Sequence, residues 1–363
     1  MKTKKFLLLF TIAAFTLTAC DEEPAKADLS SSLDNSVQQL VKAVNEISNS
    51  PEFLLFSMES DALKVGANDS TTDSTVVVAI DTLKNVLLQN VAGVYEYSWV
   101  RTKSRSPFRL FTKTGESDLM IVKMPFGKAK YPGGMFYYQK NDSLNKNNFV
   151  ATVTDYLLRR TISNGHEYKL VCGMTLDSAA YGQLAVNKTC NKVNGYDYSS
   201  SFTTAGGYTV LRTENSGDTA VSVYNISKEG KTLYEEKMTS TKIVTGETKH
   251  RERVYSLSVG NLQVVRIAGQ HLDSAVVYLD GVIQADAKVS MGFKGPNVHG
   301  SGISNKKREL KITLNDSTVI SMSEQLASTI ENMNTIFQSV NQATFTSNVI
   351  DRIALHLYLR KEK

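Results

Sequence analysis

The sequence predicts an α+β fold in which a large, mainly antiparallel β-meander sheet is packed by an N-terminal and a C-terminal amphipathic helix. Three observations lead to this fold class. Apolar residues recur at helical spacing near both ends of the chain, side chains alternate in polarity from about residue 94, and short turn sequences separate successive strand-like runs. The chain has 363 residues, which exceeds the usual size of a single domain.

The first element is a helix whose apolar residues fall at three- and four-residue steps, which places them in one stripe. The helix should end before Pro51, because proline disfavours a helical conformation in the residue that precedes it. A stripe of this kind packs against other elements and indicates no chemistry. Its members are Leu33, Val37, Leu40, Val41, Val44 and Ile47.

Turn sequences give the most specific prediction of the sheet. Gly260-Asn261 and Asp280-Gly281 each separate two apolar, alternating runs, which is typical of β-hairpins with positive φ in the turn. The segments 215–218 and 228–231 separate three further strand-like runs. Strands joined by such short loops must pair antiparallel, since a parallel crossover needs about a dozen residues or more. Residues 205–292 are therefore predicted to form a β-meander.

A second amphipathic helix is predicted near the C-terminus, where it can cover the apolar face of the sheet. Ser321 and Glu324 have the spacing of a capping box at its start. A last strand-like run is predicted from Val349 to Leu359. The apolar stripe of the helix contains Met322, Leu326, Ile330, Met333, Phe337 and Val340.

The N-terminus has the order of a secretory signal: a basic start, an apolar stretch over residues 6–15 and small residues before Cys20. From Phe6 to Ala19 there are 14 residues, too few for a helix across a bilayer, which needs about 20. The segment Leu17-Thr18-Ala19-Cys20 resembles the lipobox of bacterial lipoproteins, and the resemblance covers only about the first 24 residues. It implies cleavage before Cys20 and attachment of lipid, with acyl chains such as palmitate, to the Cys20 thiol.

The acidic residues Asp21-Glu22-Glu23 resemble the export signal of surface lipoproteins in the Bacteroidota. In other Gram-negative bacteria an Asp at this position resembles an inner-membrane retention signal, and the three acids also suit a plain flexible tether. We expect a lipid anchor in the cell envelope, with the outer membrane favoured and the periplasmic or cell-surface face left open. The chain then divides into a signal peptide (1–19), a lipidated tether (20–30) and an α+β body (31–363). The body is either one domain or two parts that share a sheet, about 31–190 and 191–363.

The charge of the chain argues against a nucleic-acid partner. The formal net charge is +5, and removal of residues 1–19 takes away Lys2, Lys4 and Lys5 and no acid, which leaves +2. Nucleic-acid-binding proteins usually concentrate basic residues on one face. The basic clusters at 159–160, 250–253 and 306–308 are short, and we interpret them as solvated strand edges or turns.

Two cysteines remain after lipidation of Cys20, and export places them in an oxidising compartment. Cys172 and Cys190 either form a disulfide, which adds roughly 3 kcal/mol in the chain-entropy model, or stay as buried free thiols. Neither has the closely spaced cysteine or histidine partner of a zinc site. No metal and no cofactor is therefore predicted.

No catalytic group can be assembled from the sequence, and we predict that the protein is not an enzyme. The five histidines are far apart and lack the spacing that places two ligands on one helical face. Aromatic residues point to binding instead. Alternation places Tyr95, Tyr97 and Trp99 on one face of a strand, where they form a stacking platform for a sugar, the wall of an apolar cavity or a packed core.

The sequence therefore predicts a membrane-anchored protein that binds a ligand without catalysis. The first hypothesis is an apolar molecule, such as a lipid in transit, held on the apolar face of the sheet. The alternative is a surface-exposed lipoprotein that binds a glycan or another protein. A weaker alternative is a hydrolase whose site cannot be recognised in one sequence, because its test is a distance through space.

Overall fold

The structure, a computed structural model, describes residues 29–50, 53, 85–97, 111–126, 146–161, 165–191, 195–269, 273–294, 307–313, 319–341, 350, 351 and 354. Strands dominate these residues and helices are few. The helices are α1 Leu29–Ser48, α2 Leu88–Val91, α3 Met322–Gln325 and α4 Ala327–Asn341. The strands are β1 Asn85–Leu87, β2 Gly93–Tyr97, β3 Phe111–Gly115, β4 Met120–Met124, β5 Phe149–Thr161, β6 Gly165–Leu176, β7 Ala179–Asn191, β8 Gly195–Thr204, β9 Tyr208–Asn215, β10 Thr219–Lys228, β11 Lys231–Thr245, β12 Thr248–Val259, β13 Leu262–Ala268, β14 Asp273–Leu279, β15 Val282–Ile283, β16 Lys288–Lys294, β17 Lys307–Thr313 and β18 Val319–Ser321.

Strands β1 to β15 form one 15-stranded sheet. From β15 to β4 the strands lie in chain order, each antiparallel to the next, and β2 and β3 continue the sheet beyond β4. The pair β2 and β4 is parallel, and β1 pairs with β5. Strands β16 to β18 form a smaller antiparallel sheet. The predicted large antiparallel meander is confirmed, but its predicted bounds, 205–292, are wrong at both ends. It begins earlier, since β5 to β8 occupy residues 149–204, and the strand from Lys288 belongs to the smaller sheet.

The two turns with the strongest sequence signals are present. Gly260 and Asn261 join β12 to β13, with a φ of 59° at Gly260. Asp280 and Gly281 join β14 to β15, with φ values of 50° and 79°. Positive φ in a two-residue turn matches the right-handed twist of the paired strands, which explains why hairpins favour these residues.

One face of the large sheet, here called the packed face, carries most of the core. Cys172, Leu184, Phe202, Val210 and Ile226 stand directly opposite one another on β6 to β10. All five are almost completely buried. They form one apolar row that crosses the sheet perpendicular to its strands.

The opposite face, here called the outer face, carries many polar side chains. The Thr203 and Thr209 hydroxyls are hydrogen bonded at 3.0 Å across β8 and β9. Lys169 forms an ion pair with Asp155 at 2.6 Å across β5 and β6. One apolar and one solvated face is the usual condition of an antiparallel sheet.

Both predicted amphipathic helices are present. Helix α1 ends at Ser48, before Pro51, as expected. The Glu324 N–H donates a hydrogen bond to Ser321 Oγ at 3.4 Å, and a turn at Leu326 divides the predicted C-terminal helix into α3 and α4. Among the described helices, none has both the length and the apolar character required to cross a membrane.

Helix α1 contacts the large sheet at its hairpin turns. The Ser36 hydroxyl donates a hydrogen bond to Asn261 Oδ1 at 3.1 Å. Toward the other end of the helix, the Tyr208 hydroxyl donates a hydrogen bond to Glu46. These two contacts tie one helix to the β12–β13 turn and to the start of β9.

Helix α4 contacts the packed face through Phe337. The centroid of its ring lies 5.2 Å from that of Tyr224 and 6.1 Å from that of Tyr234. Met333 and Ile336 on the same helix are buried. Helix α4 also packs against α1.

The predicted strand from Val349 to Leu359 is wrong at the positions that the structure describes. Ile350, Asp351 and Ala354 are helical, and Ile350 and Ala354 are completely buried. A four-residue separation places two side chains on one side of either a strand or a helix. Periodicity alone does not distinguish the two in so short an apolar run.

The large sheet is continuous across residue 190, where the sequence left open a division into two parts. Strands β7 and β8 pair at ten positions, from Gly182 opposite Thr204 to Asn191 opposite Gly195. The backbone hydrogen bonds of the sheet therefore cross this boundary without a gap.

Candidate functional site

The aromatic residues singled out in the sequence belong to the core where the structure describes them. Tyr95 and Tyr97 are 2% and 9% exposed on β2. The Tyr95 hydroxyl donates to the Ala92 carbonyl at 3.2 Å, and the Tyr97 ring packs edge-on against Phe111 with centroids 5.6 Å apart. Trp99 lies outside the described residues. The two tyrosines offer no exposed stacking platform.

The two remaining cysteines are free and form no disulfide; Cys172 is buried, as the alternative expected, whereas Cys190 is exposed. In the register of β6 and β7, Cys190 stands opposite His166. His166 is six residues from Cys172, or about 20 Å at the rise of a strand, whereas a disulfide needs Cα atoms within about 7 Å. Burial raises the pKa of the Cys172 thiol to about 12, so this cysteine serves as packing. Cys20 lies outside the described residues.

A group of tyrosines and cations lies on the packed face beyond the apolar row. Tyr198 on β8 stands opposite Lys188 on β7, and Arg212 on β9 stands opposite Tyr224 on β10. Tyr196 lies two residues from Tyr198 and so on the same face. All five side chains are partly exposed, in contrast to the apolar row. We call these five residues the tyrosine strip.

Arg212 is the centre of the tyrosine strip, and its side chain is 18% exposed. Its Nη2 donates a hydrogen bond to Glu214 Oε1 at 2.5 Å. The guanidinium carbon lies 5.8 Å from the ring centroid of Tyr198 and 5.4 Å from that of Tyr224, within cation–π range. Burial lowers the pKa of Arg212, but the hydrogen bond to Glu214 and the neighbouring groups raise it by more, so the guanidinium stays charged.

One donor of this guanidinium makes no hydrogen bond within the described part of the chain. Arg212 Nε is buried and makes no hydrogen bond to any residue that the structure describes. A buried polar group left in this condition costs about 1–3 kcal/mol, and such groups are rare in folded proteins.

Tyr196 and Tyr198 stand parallel at one end of the strip. Their ring centroids are 6.2 Å apart and their planes differ by 5°. Lys188 Nζ lies 5.8 Å from the Tyr196 centroid. Burial raises the pKa of Tyr196 and of Tyr224, so both hydroxyls are neutral at physiological pH and can donate and accept hydrogen bonds.

A partly buried carboxyl group lies beside the row that contains Lys188. Asp351 accepts hydrogen bonds from the hydroxyls of Tyr156 and Tyr168 at 2.9 and 3.2 Å, and Tyr168 stands opposite Lys188 in the sheet. Burial raises the pKa of Asp351 to about 7. This group fastens the helical residues around 350–354 to β5 and β6.

The described residues show no metal centre. Among them, no three His, Cys, Asp or Glu side chains are grouped so that they could hold a metal ion. The functional groups that the described sheet does bring together are aromatic rings, hydroxyls and paired charges.

The sequence contains each part of the tyrosine strip but not their proximity. Tyrosines at 196 and 198 indicate one face of a strand, whereas the pairing of Arg212 with Tyr224 depends on strand register. Comparisons with protein-family models, with curated proteins and with solved structures find no match. The geometry of this chain is therefore the basis for a proposal about its function.

Proposed function

We propose that this protein is a lipid-anchored, non-catalytic binding protein of the cell envelope and that its tyrosine strip binds a glycan. The observation that carries the proposal is the position of the Arg212 guanidinium against Tyr198 and Tyr224 on a partly exposed sheet face. A sugar has apolar C–H faces that pack on aromatic rings and many hydroxyls that bond to charged and phenolic groups. The strip supplies both kinds of partner side by side.

A polar ligand is favoured over the apolar or lipid ligand that the sequence suggested first. In this proposal α1 and α4 cover the apolar end of the packed face. The contact of Phe337 with Tyr234, which stands opposite Ile226 of the apolar row, and the hydrogen bond of Tyr208 to Glu46 support this. An apolar ligand on that row would have to displace both helices. A glycan that packs on Tyr196 and Tyr198 would leave the contact of Phe337 with Tyr224 in place.

The membrane anchor in this proposal rests on the lipobox-like segment that ends at Cys20. Two or more acyl chains hold a protein to a bilayer almost permanently, whatever its folded part does. Cys20→Ser should therefore abolish incorporation of alkyne-labelled palmitate in the native host, whereas the matched control Cys190→Ser should incorporate it as the wild type does. Equal labelling of Cys20→Ser and wild type would contradict the anchor.

The glycan site is tested with the full mature chain on an array of bacterial and host glycans, followed by calorimetry with the best ligand. Tyr196→Ala combined with Tyr198→Ala should weaken binding by about tenfold or more, because each lost aromatic contact costs about 0.5–1.5 kcal/mol. Tyr278→Ala is the matched control, since Tyr278 lies between the buried Val277 and Leu279 and so on the outer face. It should keep the wild-type affinity.

A wild-type chain that binds no glycan, or an equal loss of affinity in the double variant and in Tyr278→Ala, would contradict the glycan site. Native mass spectrometry of the protein from a lipid-containing host gives an independent check. A co-purified lipid that the double variant retains would favour the apolar ligand instead.

A further inference from the structure

We infer that the ligand is an acidic glycan, a saccharide with carboxylate, sulfate or phosphate groups, and that a second group of side chains on the packed face binds those groups. This inference rests on the proposed glycan site and specifies its ligand. The second group consists of Lys242 on β11 and Lys249, Arg251 and Arg253 on β12, here called the cationic patch.

Strand alternation creates the cationic patch. Arg251 stands opposite Lys242, and Arg253 stands opposite Ser240. Each of these residues is an even number of positions from Tyr234 or Val259. These two residues stand opposite each other, and Tyr234 stands opposite Ile226 of the apolar row. The four cations therefore lie on the packed face.

The same alternation places the acidic residue Glu252 on the opposite face. Residues 249–253 have the sequence Lys-His-Arg-Glu-Arg, in which positive and negative charges are mixed. In the strand, His250 and Glu252 point to the outer face, opposite Ile243 and Thr241. A segment that we interpreted from the sequence as a solvated edge thus presents only cations on the packed face.

Three of the four cations form no ion pair with an acid in the described part of the chain. Lys242 Nζ lies 3.4 Å from Asp218 Oδ1, and Arg251 donates to the Ser240 carbonyl at 3.2 Å. Lys249 and Arg253 are exposed and form no ion pair with any acid in the described part of the chain. Their positive charge is available to an anionic ligand.

The cationic patch and the tyrosine strip belong to one continuous surface. Four strand spacings, or about 19 Å, separate β8, which carries Tyr198, from β12, which carries Arg253. One row of directly opposed side chains connects these strands, and it consists of Tyr198, Glu214, Ser222, Met238 and Tyr255. A chain of several sugar rings that crosses the strands would contact the aromatic rings at one end and the cations at the other.

The hairpin formed by β11 and β12 extends beyond its neighbouring strands, which leaves the cationic patch accessible. Strand β10 begins opposite Thr241, and β13 ends opposite Arg253, so residues 243–252 of β11 and β12 pair only with each other within the described sheet. Val244, 55% exposed, is the large apolar side chain that stands out at the end of this projection. Membrane-binding segments present a broad apolar surface together with their cations, and an acidic glycan therefore fits this face better than an anionic bilayer does.

The test compares the mature wild-type chain with Arg251→Gln/Arg253→Gln in calorimetry against heparin, polygalacturonate and neutral dextran. The double variant should bind the two acidic polymers about tenfold more weakly and with a shallower dependence on salt, because exposed charge interactions are screened by ions. Lys231→Gln/Lys237→Gln is the matched control. It removes the same charge from the far end and the outer face of β11 and should stay within about twofold of wild type.

Unchanged affinity of the arginine variant for both acidic polymers would overturn this inference. If that variant keeps its affinity while Tyr196→Ala/Tyr198→Ala loses binding, the acidic ligand is wrong and the glycan site stands. If neither variant loses binding, both proposals fail. Binding of the wild type to phosphatidylglycerol vesicles or duplex DNA, with none to either polymer, would also overturn the acidic glycan.

Discussion

Along β7 and β8 the packed face is buried at one end of each strand and partly exposed at the other, although the same alternation of side chains runs through both ends. On β8, Phe202 is almost completely buried, while Tyr198, four residues away on the same face, is partly exposed. On β7, Leu184 and Lys188 show the same contrast. A long antiparallel strand can therefore supply core packing at one end and, in our proposal, a binding surface at the other.

The largest expected effect on stability comes from shortening a side chain in the apolar row. Leu184→Ala should lower the free energy of unfolding by about 2–5 kcal/mol, because it leaves a cavity in a fully buried row. Lys188→Ala, four residues along the same strand and face, should change it by no more than about 0.5 kcal/mol. Urea unfolding of both variants measures the contrast. Similar losses would show that the two ends are equally important for stability.

The next effect depends on pH and concerns Asp351, whose pKa is raised to about 7 by burial. The folded state binds this proton more tightly than the unfolded state, so its stabilising contribution is complete below the ordinary carboxyl pKa and is lost as the pH rises through about 7. Asp351→Asn has no such proton. It should be more stable than wild type at pH 8 by about 1–3 kcal/mol, with the difference disappearing toward pH 4.

Urea unfolding of wild type and Asp351→Asn between pH 4 and pH 8 checks this prediction. The result also bears on the difference in exposure along the row of Tyr168, Lys188 and Tyr198, which stand opposite one another. Tyr168, which donates to Asp351, is buried on β6, whereas Tyr198 is partly exposed on β8. Parallel stability curves for the two proteins would mean that the carboxyl group is not buried as described.

A smaller effect is expected at the turn that contacts α1. A Cβ atom at Gly260 would lie 2.3 Å from Ser36 Oγ, and the φ of 59° is itself unfavourable for other residues. Gly260→Ala should therefore cost about 1–2 kcal/mol. Gly281→Ala is the matched control: its φ of 79° is also positive, but no atom lies within 4 Å of the added Cβ.

Thermal unfolding of both glycine variants separates backbone strain from the helix contact. The cost of Gly260→Ala should exceed that of Gly281→Ala, and Ser36→Gly in the same chain should remove the excess. Equal costs in the two variants would show that α1 does not rest on this turn.

Much of the sheet could be predicted from sequence because its turns are local signals. Gly260 and Gly281 indicate hairpins by their composition alone, and both hairpins are present. The β6–β7 turn was missed since Asp177 and Ser178 adopt φ values of 48° and 68° without a glycine. The helix at Ile350 was missed for a different reason, because a short apolar run fits a strand as well as a helix.

The candidate site could be predicted only in part. Alternation assigns Tyr196 and Tyr198 to one face, but the meeting of Tyr198 with Arg212 depends on a register that the sequence does not specify. Lys249, Arg251 and Arg253 alternate with His250 and Glu252, and this period of two predicts one cationic face if the segment is a strand. Interpreted as a solvated edge or turn, the same segment has no defined face.

Our central claim is that the tyrosine strip, at the partly exposed end of β7 and β8, binds the ligand. Tyrosine footprinting tests this claim most directly. The mature protein is nitrated with tetranitromethane, with and without saturating glycan from the array, and the modified peptides are quantified by mass spectrometry. We predict that the glycan slows modification of Tyr196 and Tyr198 and leaves Tyr278 on the outer face unchanged. Protection of Tyr278, with Tyr196 and Tyr198 modified as in the free protein, would contradict the account.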